Sequence, residues 1–426
     1  MIKAVTGTKD ILPSEINRWY YLEKTVKEIF TNFNYKEIRT PVFEETALFA
    51  RSIGEETDIV SKEMYSFLDR SETSLTLKPE MTASVVRAYI EHSLGSQQPL
   101  NKLFYISPMF RQERPQAGRF RQFHQFGAEA IGSTSPLLDA EMIEMSFNIF
   151  IRLGLKDLVV KINSLGVPNS REVYKNKLRE FLEDKKDKLT EESRKRFNKN
   201  ILRIFDSKIE SDQLIMKDAP LLIDYLDEES KNDFEIVKEY LSKVDIPFEV
   251  DAALVRGLDY YTKTTFEIIS NKVGSQSALC GGGRYDLLIE ELGGKPTPGV
   301  GFAAGMERIL LACENEKSFT LPEPVIDVYL IRLDSELEPA SSADKLELSG
   351  LASQLRMKNI SIDYDYLGRS IKAQMREANK LNAKFVLFVG GEEYKNGEVQ
   401  LKNMVDGIQT RFSLNEIEKI ISIVKK

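Results

Sequence analysis

FRQERPQAGRFRQFHQFGAEAIG, Phe110 to Gly132, gathers four arginines, two glutamates and one of only two histidines in a 426-residue chain whose formal net charge is −7. Strand character precedes it in KLFYISPMFR, from Lys102, and returns in RQFHQFGAEAIG. The segment therefore reads as two strands paired like a hairpin around a Gln-, Pro- and Gly-bearing loop near 112 to 120. Strand side chains alternate between faces. Met109 and Arg111 share one face of the first strand, and Phe123, Gln125, Gly127 and Glu129 share one face of the second. If the two faces coincide, an arginine, an amide and a carboxylate converge over a glycine that leaves room for something to lie on the sheet. Such a pattern describes a pocket, not a core.

Upstream, Trp19, Leu22, Val26, Ile29, Phe30 and Phe33 recur at three- and four-residue spacing, which predicts an amphipathic helix over 14–33 opened by Pro13-Ser14-Glu15. KEIRTPVFEET (36–46) breaks that period, and Pro41 within it belongs at a strand edge, a bulge or an interface. Downstream, 168–245 is rich in Lys and Glu, helical in period and poor in strands, as expected of an inserted helical subdomain. Its charges fit a solvated helix face, or a surface leaning on a phosphate backbone. Strand and turn signals return in LVRGLDYYTKTTFEIIS (254–270), ALCGGGRYDLL (278–288) and TPGVGFAAGMERILLAC (297–313), the last running from a glycine-rich strand into a helix. Pro322 and Pro324 mark a linker. Beyond it strand and helix alternate to the end, the signature of a compact α/β domain with a partly parallel sheet.

Composition narrows the function classes. A chain this long exceeds one ordinary core, so two or three domains are expected. The start, MIKAVTGTKDILPSE, lacks the apolar run of a secretory signal, and no stretch of ~18 apolar residues could span a bilayer, which predicts a soluble, cytoplasmic protein. Cys280 and Cys313 with His92 and His124 are too few for a disulfide framework or a zinc site. With 59 Lys and Arg against 66 Asp and Glu, the balance argues against indiscriminate nucleic-acid binding but allows local basic surfaces.

Arginine presents a permanently charged planar fork that grips phosphates bidentately, so Arg111 on the pocket face and Arg308 at the start of a helix are candidates for holding a polyphosphate. The small residues of GVGFAAGMER would let a flat ring and a phosphate chain lie against the backbone. No GxxxxGK[ST] occurs, and the glycine clusters do not form GxGxxG after a strand, so the P-loop and dinucleotide readings lose ground.

Phe110-Arg111-Gln112-Glu113-Arg114-Pro115 through Gly127-Ala128-Glu129 resembles the second motif of class II aminoacyl-tRNA synthetases, GVGFAAGMERILL their third and IRTPVFEET their first. LVRGLDYYTKTTFEI and ALCGGGRYDLL resemble the two signature peptides of the histidyl-tRNA synthetase family, and GTKDILP and TLKPEMTASVVRAY are also similar to it. The resemblance spans nearly the whole chain. It implies an α+β fold: a class II antiparallel-sheet catalytic domain over 1–325, carrying the helical insertion at about 168–245, and an α/β anticodon-binding domain over 326–426. It also implies a homodimer with motif one at the interface.

The same resemblance assigns residues. Arg111 would hold the ATP α-phosphate; Phe123 would stack the adenine beneath Arg308, which would reach the γ-phosphate; Glu113 would face the adenine amine. Arg256 would be the catalytic arginine, bridging the histidine carboxylate and the α-phosphate where other class members use a metal ion. Glu129 and Tyr261 would flank the imidazole, Tyr260 and Tyr285 line its pocket, and Glu80, Thr82 and Gln125 hold the α-amino end. Arg114 and Gln116 would approach the acceptor end of tRNA(His), and Mg2+ would accompany ATP. His124 faces away from Gln125 by period two, which favours a place on the back of the sheet over a role as general base. Met81, after Pro79-Glu80, stands where relatives carry a small residue. A rival is the non-aminoacylating regulatory paralogue of ATP phosphoribosyltransferase, which generally lacks the C-terminal module and departs from the signature peptides. A synthetase for another amino acid is disfavoured by the pairing of Glu129 with Tyr261.

Overall fold

The computed structural model describes residues 1–54, 57, 59–255, 260–270, 278–318, 325–333 and 342–425. They form two compact units, Met1–Thr320 and Leu321–Lys426. Among the described residues no helix is long and apolar enough to cross a membrane.

The larger unit opens with α1 (Ile16–Asn32), whose Trp19, Leu22, Val26, Ile29 and Phe30 are buried, as the three- and four-residue spacing requires. The short β1 (Lys36–Glu37) and β2 (Phe43–Glu45) follow, with Pro41 between them and outside either ladder. Then come α2 (Thr46–Ile53), β3 (Tyr65–Leu68), β4 (Ser74–Leu77), α3 (Thr82–Glu91) and α4 (Leu94–Gln97). The opening hairpin is β5 (Asn101–Phe110) and β6 (Gln122–Ile131), and α5 (Pro136–Arg152) and β7 (Leu158–Ser164) continue the chain. Four helices intervene: α6 (Pro168–Glu183), α7 (Glu191–Lys199), α8 (Glu210–Met216) and α9 (Glu228–Lys243). β8 (Phe248–Val250), β9 (Thr262–Ser270), β10 (Ala278–Arg284), α10 (Leu288–Glu291), β11 (Gly299–Gly305) and α11 (Met306–Glu316) complete the unit.

Eight strands join in the order β1-β5-β6-β11-β10-β9-β7-β8. Only the edge pairs β1/β5 and β7/β8 are parallel; the six central strands are antiparallel throughout. One face carries the main apolar core, where Phe126, Ala128 and Ala130 of β6 and Val300, Phe302 and Ala304 of β11 meet residues of α1, α5 and α11. The stretch expected to form one helical insertion divides. Phe234, Val237 and Leu241 of α9 belong to this main core, because α9 lays its apolar stripe on α5. Helix α6 instead buries Tyr174, Leu178 and Leu182 in a second cluster with Phe197, Ile201 and Met216.

The smaller unit runs β12 (Val328–Leu333), α12 (Ser342–Met357), β13 (Ile362–Tyr364), α13 (Ile371–Lys380), β14 (Phe385–Gly390), α14 (Gly391–Lys395), β15 (Glu398–Asn403), β16 (Gln409–Ser413) and α15 (Ile417–Val424). Its sheet order is β13-β12-β14-β15-β16, parallel about β12 and antiparallel beyond β14. Alternation along β12 sends Val328 and Leu330 toward α12 and α15, and Tyr329 and Ile331 toward Ala378 of α13.

Candidate active site

On the other face of the main sheet lies a cavity of about 380 Å³, lined from β6 by Phe123 and Gln125, from β11 by Gly301, Ala303 and Gly305, and from β10 by Gly281. The register explains the open floor. Glu129 pairs with Gly301, and Gly301 with Gly283; Gly127 pairs with Ala303, and Ala303 with Gly281. A Cβ on Gly301 would stand 1.7 Å from Glu129 Oε2, so glycine there makes room for that carboxylate. The room above Gly127 is used differently from the expectation. Cross-strand Tyr105 folds its phenol over it, and a Cβ on Gly127 would stand 2.4 Å from Tyr105 Oη. This glycine accommodates a neighbouring ring, which the spacing within β6 alone could not show.

One end of the cavity is cationic. Arg111 leaves the end of β5, donates from Nε to Pro79 O at 2.9 Å, and holds its guanidinium 5.4 Å from the centre of the Phe123 ring. Arg308, in the first turn of α11, donates to Ala278 O at 3.0 Å. Burial lowers its affinity for the proton, and Arg119 nearby pushes the same way. Glu113 accepts from Arg119 at 2.6 Å and lies 3.7 Å from Arg111. Arg119 and Lys208, which also line this region, carried no distinguishing signal in the sequence; the loop's tight turn over 116–119 and the fold of the insertion bring them in.

The opposite end is built from buried polar groups. Glu80 precedes α3 and accepts the backbone N–H groups of Thr82 at 2.7 Å and Ala83 at 2.9 Å, satisfying two of the helix's orphan donors. Burial raises its carboxyl above the usual range even so. Glu129 is wholly buried. It accepts from Thr82 Oγ1 at 2.8 Å and from Tyr285 Oη at 2.6 Å, yet burial pushes its carboxyl up to about 8. Tyr260 and Tyr261 meet at 4.7 Å between ring centres, and Tyr260 and Tyr285 at 5.9 Å. Gln125 presents a buried Oε1 without a hydrogen-bond partner among the described residues. Of the residues expected at the site, Glu80, Thr82, Arg111, Glu113, Phe123, Gln125, Tyr260, Tyr261, Tyr285 and Arg308 line this one cavity, and Glu129 backs it through Gly301, Thr82 and Tyr285. Arg114 and Gln116 do not line it; they are exposed on the outer arm of the loop. Arg256 lies outside the described residues.

The N-terminal GTKDILP segment secures this loop. Gly7, at φ +87°, offers its carbonyl to the Arg121 N–H at 2.6 Å, and a Cβ there would stand 2.7 Å from Arg121 Cγ. His124 faces the opposite side of the sheet from Gln125, against Trp19 at 4.9 Å.

Residues 7–309 match the histidyl-tRNA synthetase family, and residues 327–423 match the anticodon binding domain family. The chain is 48% identical over 425 residues to histidine–tRNA ligase of Halothermothrix orenii, covering 99% of this chain and 100% of that protein. It is 47% identical over 422 residues to histidine–tRNA ligase of Caldanaerobacter subterraneus subsp. tengcongensis, with 99% of each covered. The crystal structure of apo S. aureus histidyl-tRNA synthetase superposes with a TM-score of 0.82 at 40% identity, covering 100% of both chains. Matched by the family over 7–309 and by these relatives over its full length, the chain belongs to the histidyl-tRNA synthetase family.

Proposed function

We propose that the cavity joins histidine to ATP and passes the product to tRNA(His), making the chain an ATP-dependent histidine–tRNA ligase. The observation that carries this reading is the polarity of the cavity: guanidinium groups at one end and, backing the other, a buried carboxyl held by Thr82 and Tyr285. In the first step a histidine carboxylate oxygen attacks the α-phosphorus, the bond to the bridging oxygen breaks, and pyrophosphate leaves with the aminoacyl adenylate formed. Charge grows on the α-phosphoryl oxygens as this happens, so fixed cations there stabilise the transition state more than the ground state. Arg111 and Arg256 supply that charge. Phe123 and Arg308 sandwich the adenine, with Arg308 also reaching the γ-phosphate, and Glu113 receives the adenine amine. In the second step a hydroxyl of the terminal ribose attacks the acyl carbon and AMP departs; a phosphate oxygen of the adenylate takes the proton, so no protein base is needed.

Histidine is selected by unpaired polar capacity. The Glu129 carboxyl has one donor on each oxygen and retains capacity for a ring nitrogen, while Tyr261 meets the other side of the imidazole and Tyr260 and Tyr285 wall the pocket. Glu80, Thr82 and Gln125 hold the α-ammonium group, Gln125 through its unpartnered oxygen. Mg2+ travels with the substrate. When bound, it would neutralise phosphate charge, with its ligands drawn chiefly from the phosphates and water.

Arg114 and Gln116 face the acceptor end, and the smaller unit reads anticodon bases. Val42, Phe43, Phe67 and Leu68, exposed at β2 and β3 beside motif one, form the apolar surface of a homodimer. A cytoplasmic location follows from this role. The regulatory-paralogue reading is not favoured, because the ligase relatives align through both units. Pyrophosphate exchange with each of the twenty amino acids tests the assignment: histidine alone should support it, and exchange with another amino acid instead would overturn it.

A further inference from the structure

At the margin of the cleft, which it also lines, the Glu307 carboxylate bridges two of the segments that meet there. Strand β11 ends at Gly305, opposite Gln125 of β6, so among the described residues no strand residue faces His124 from that side. Glu307, in the first turn of α11, takes that place. Its two oxygens accept the His124 backbone N–H at 2.9 and 3.0 Å, and Oε1 lies 2.9 Å from the ring Nδ1. An otherwise unpaired backbone donor is thus satisfied by a charged acceptor, the stronger class of hydrogen bond. The His124 ring meets Trp19 of α1 edge-on, 4.9 Å between centres at 76°. The same carboxylate therefore ties β6 to α11, and through the imidazole to α1.

What flanks the bridge gives it meaning. Phe123 and Gln125, on either side of His124, turn into the cleft, and Arg308 directly follows Glu307. We infer that Glu307 is a positioning residue for the nucleotide end: it fixes β6 against the start of α11, so that Phe123 and Arg308 stand at the separation an adenine ring requires, with the His124 ring as its second anchor. The inference rests on the assignment of ATP to that end. It gives His124 a role on the back of the sheet without proton transfer. A merely structural tie would weaken both substrates alike, whereas a positioning tie acts on ATP alone.

Pyrophosphate exchange on the full chain separates the two. Losing a charge-assisted bond to a backbone donor should raise the KM for ATP by about ten-fold or more in E307A, with the KM for histidine changed by less than about two-fold. E307Q keeps an oxygen for the His124 N–H and should return the ATP KM to within about three-fold of the parent. H124F keeps the ring against Trp19 and loses only the Nδ1 anchor, so a rise of about three-fold is expected. Trp19 is the chain's single tryptophan. Its emission should shift in E307A while far-ultraviolet circular dichroism stays constant. An unchanged ATP KM in E307A, or equal rises for ATP and histidine, overturns the inference. If E307A does not fold, an unchanged ATP KM in H124F does so. R308A is the control: if it too leaves the ATP KM unchanged, the placement of ATP is what has failed, not the tie.

Discussion

Arg111 reaches the cleft from the end of β5 and Arg308 from the first turn of α11, and the Arg111 side chain keeps 21% of its surface in solvent; Glu80 lines the cleft and Glu129 backs it from inside the fold, 5% and 0% exposed. The contrast follows from the chemistry of the two groups. A guanidinium stays charged at any accessible pH and needs no preformed acceptor, so it can stand partly buried without taking up or losing a proton. A carboxyl withdrawn from water must be held by donors or take up a proton. Glu80 is held by two backbone N–H groups, and Glu129 by two hydroxyls that do not fully offset its burial. On the proposed assignment, the nucleotide end is a field of fixed charge and the amino-acid end a buried template.

Changing each end in turn would sharpen that contrast. The largest effect belongs to Arg256→Ala. Removing the cation proposed to meet the α-phosphate should slow histidine-dependent pyrophosphate exchange by about 10²- to 10³-fold while leaving ATP binding and the thermal midpoint near the parent values. Near-normal exchange would remove Arg256 from the chemistry. Next comes Glu129→Gln, which keeps volume and loses the carboxylate. The KM for histidine should rise by about 10- to 100-fold with the ATP KM unaltered. A comparable rise for ATP would mean the two ends are not independently built.

A third effect concerns stability. The Glu129 carboxyl sits at about 8 in the fold against an ordinary 4.5, so between those values the native state keeps a proton that the unfolded chain has released. Its contribution is fully present below 4.5 and is lost as the pH rises toward 8. The parent should thus lose stability relative to Glu129→Gln across that window, read by denaturant unfolding at several pH values. A constant gap between the two proteins would show that the carboxyl is better solvated than its burial implies.

Much of this was legible from residue order because the signals are local. Period two along 101–110 and 122–131 orients Phe123 and Gln125 toward the cleft and His124 away from it, and both orientations hold in the sheet. The strand-to-helix passage through GVGFAAGMER places Arg308 in the first turn of α11. Other features depend on partners far along the chain. Tyr105 fills the space over Gly127 from the adjacent strand, and Gly301 yields to Glu129 from across the ladder. Glu307 acquires its partner from a residue 183 positions earlier, a contact that residue order does not reveal. The helices over 168–243 share one charged composition, yet α9 joins the main core and α6 does not.

By itself the sequence determined the first helix, the central hairpin and its faces, the strand-to-helix passage into α11 and the family the motifs belong to, since backbone periodicity and motif spacing are properties of neighbours along the chain. Only the tertiary structure decided the environment of each group: that Glu129 would be stripped of water and pushed up to about 8, that Gln125 would have an oxygen without a partner among the described residues, and that Glu307 would bind β6 at His124. The reason is that burial and long-range hydrogen bonding are set by whatever the remainder of the chain places around a side chain, and proton affinity follows from that surrounding rather than from residue type.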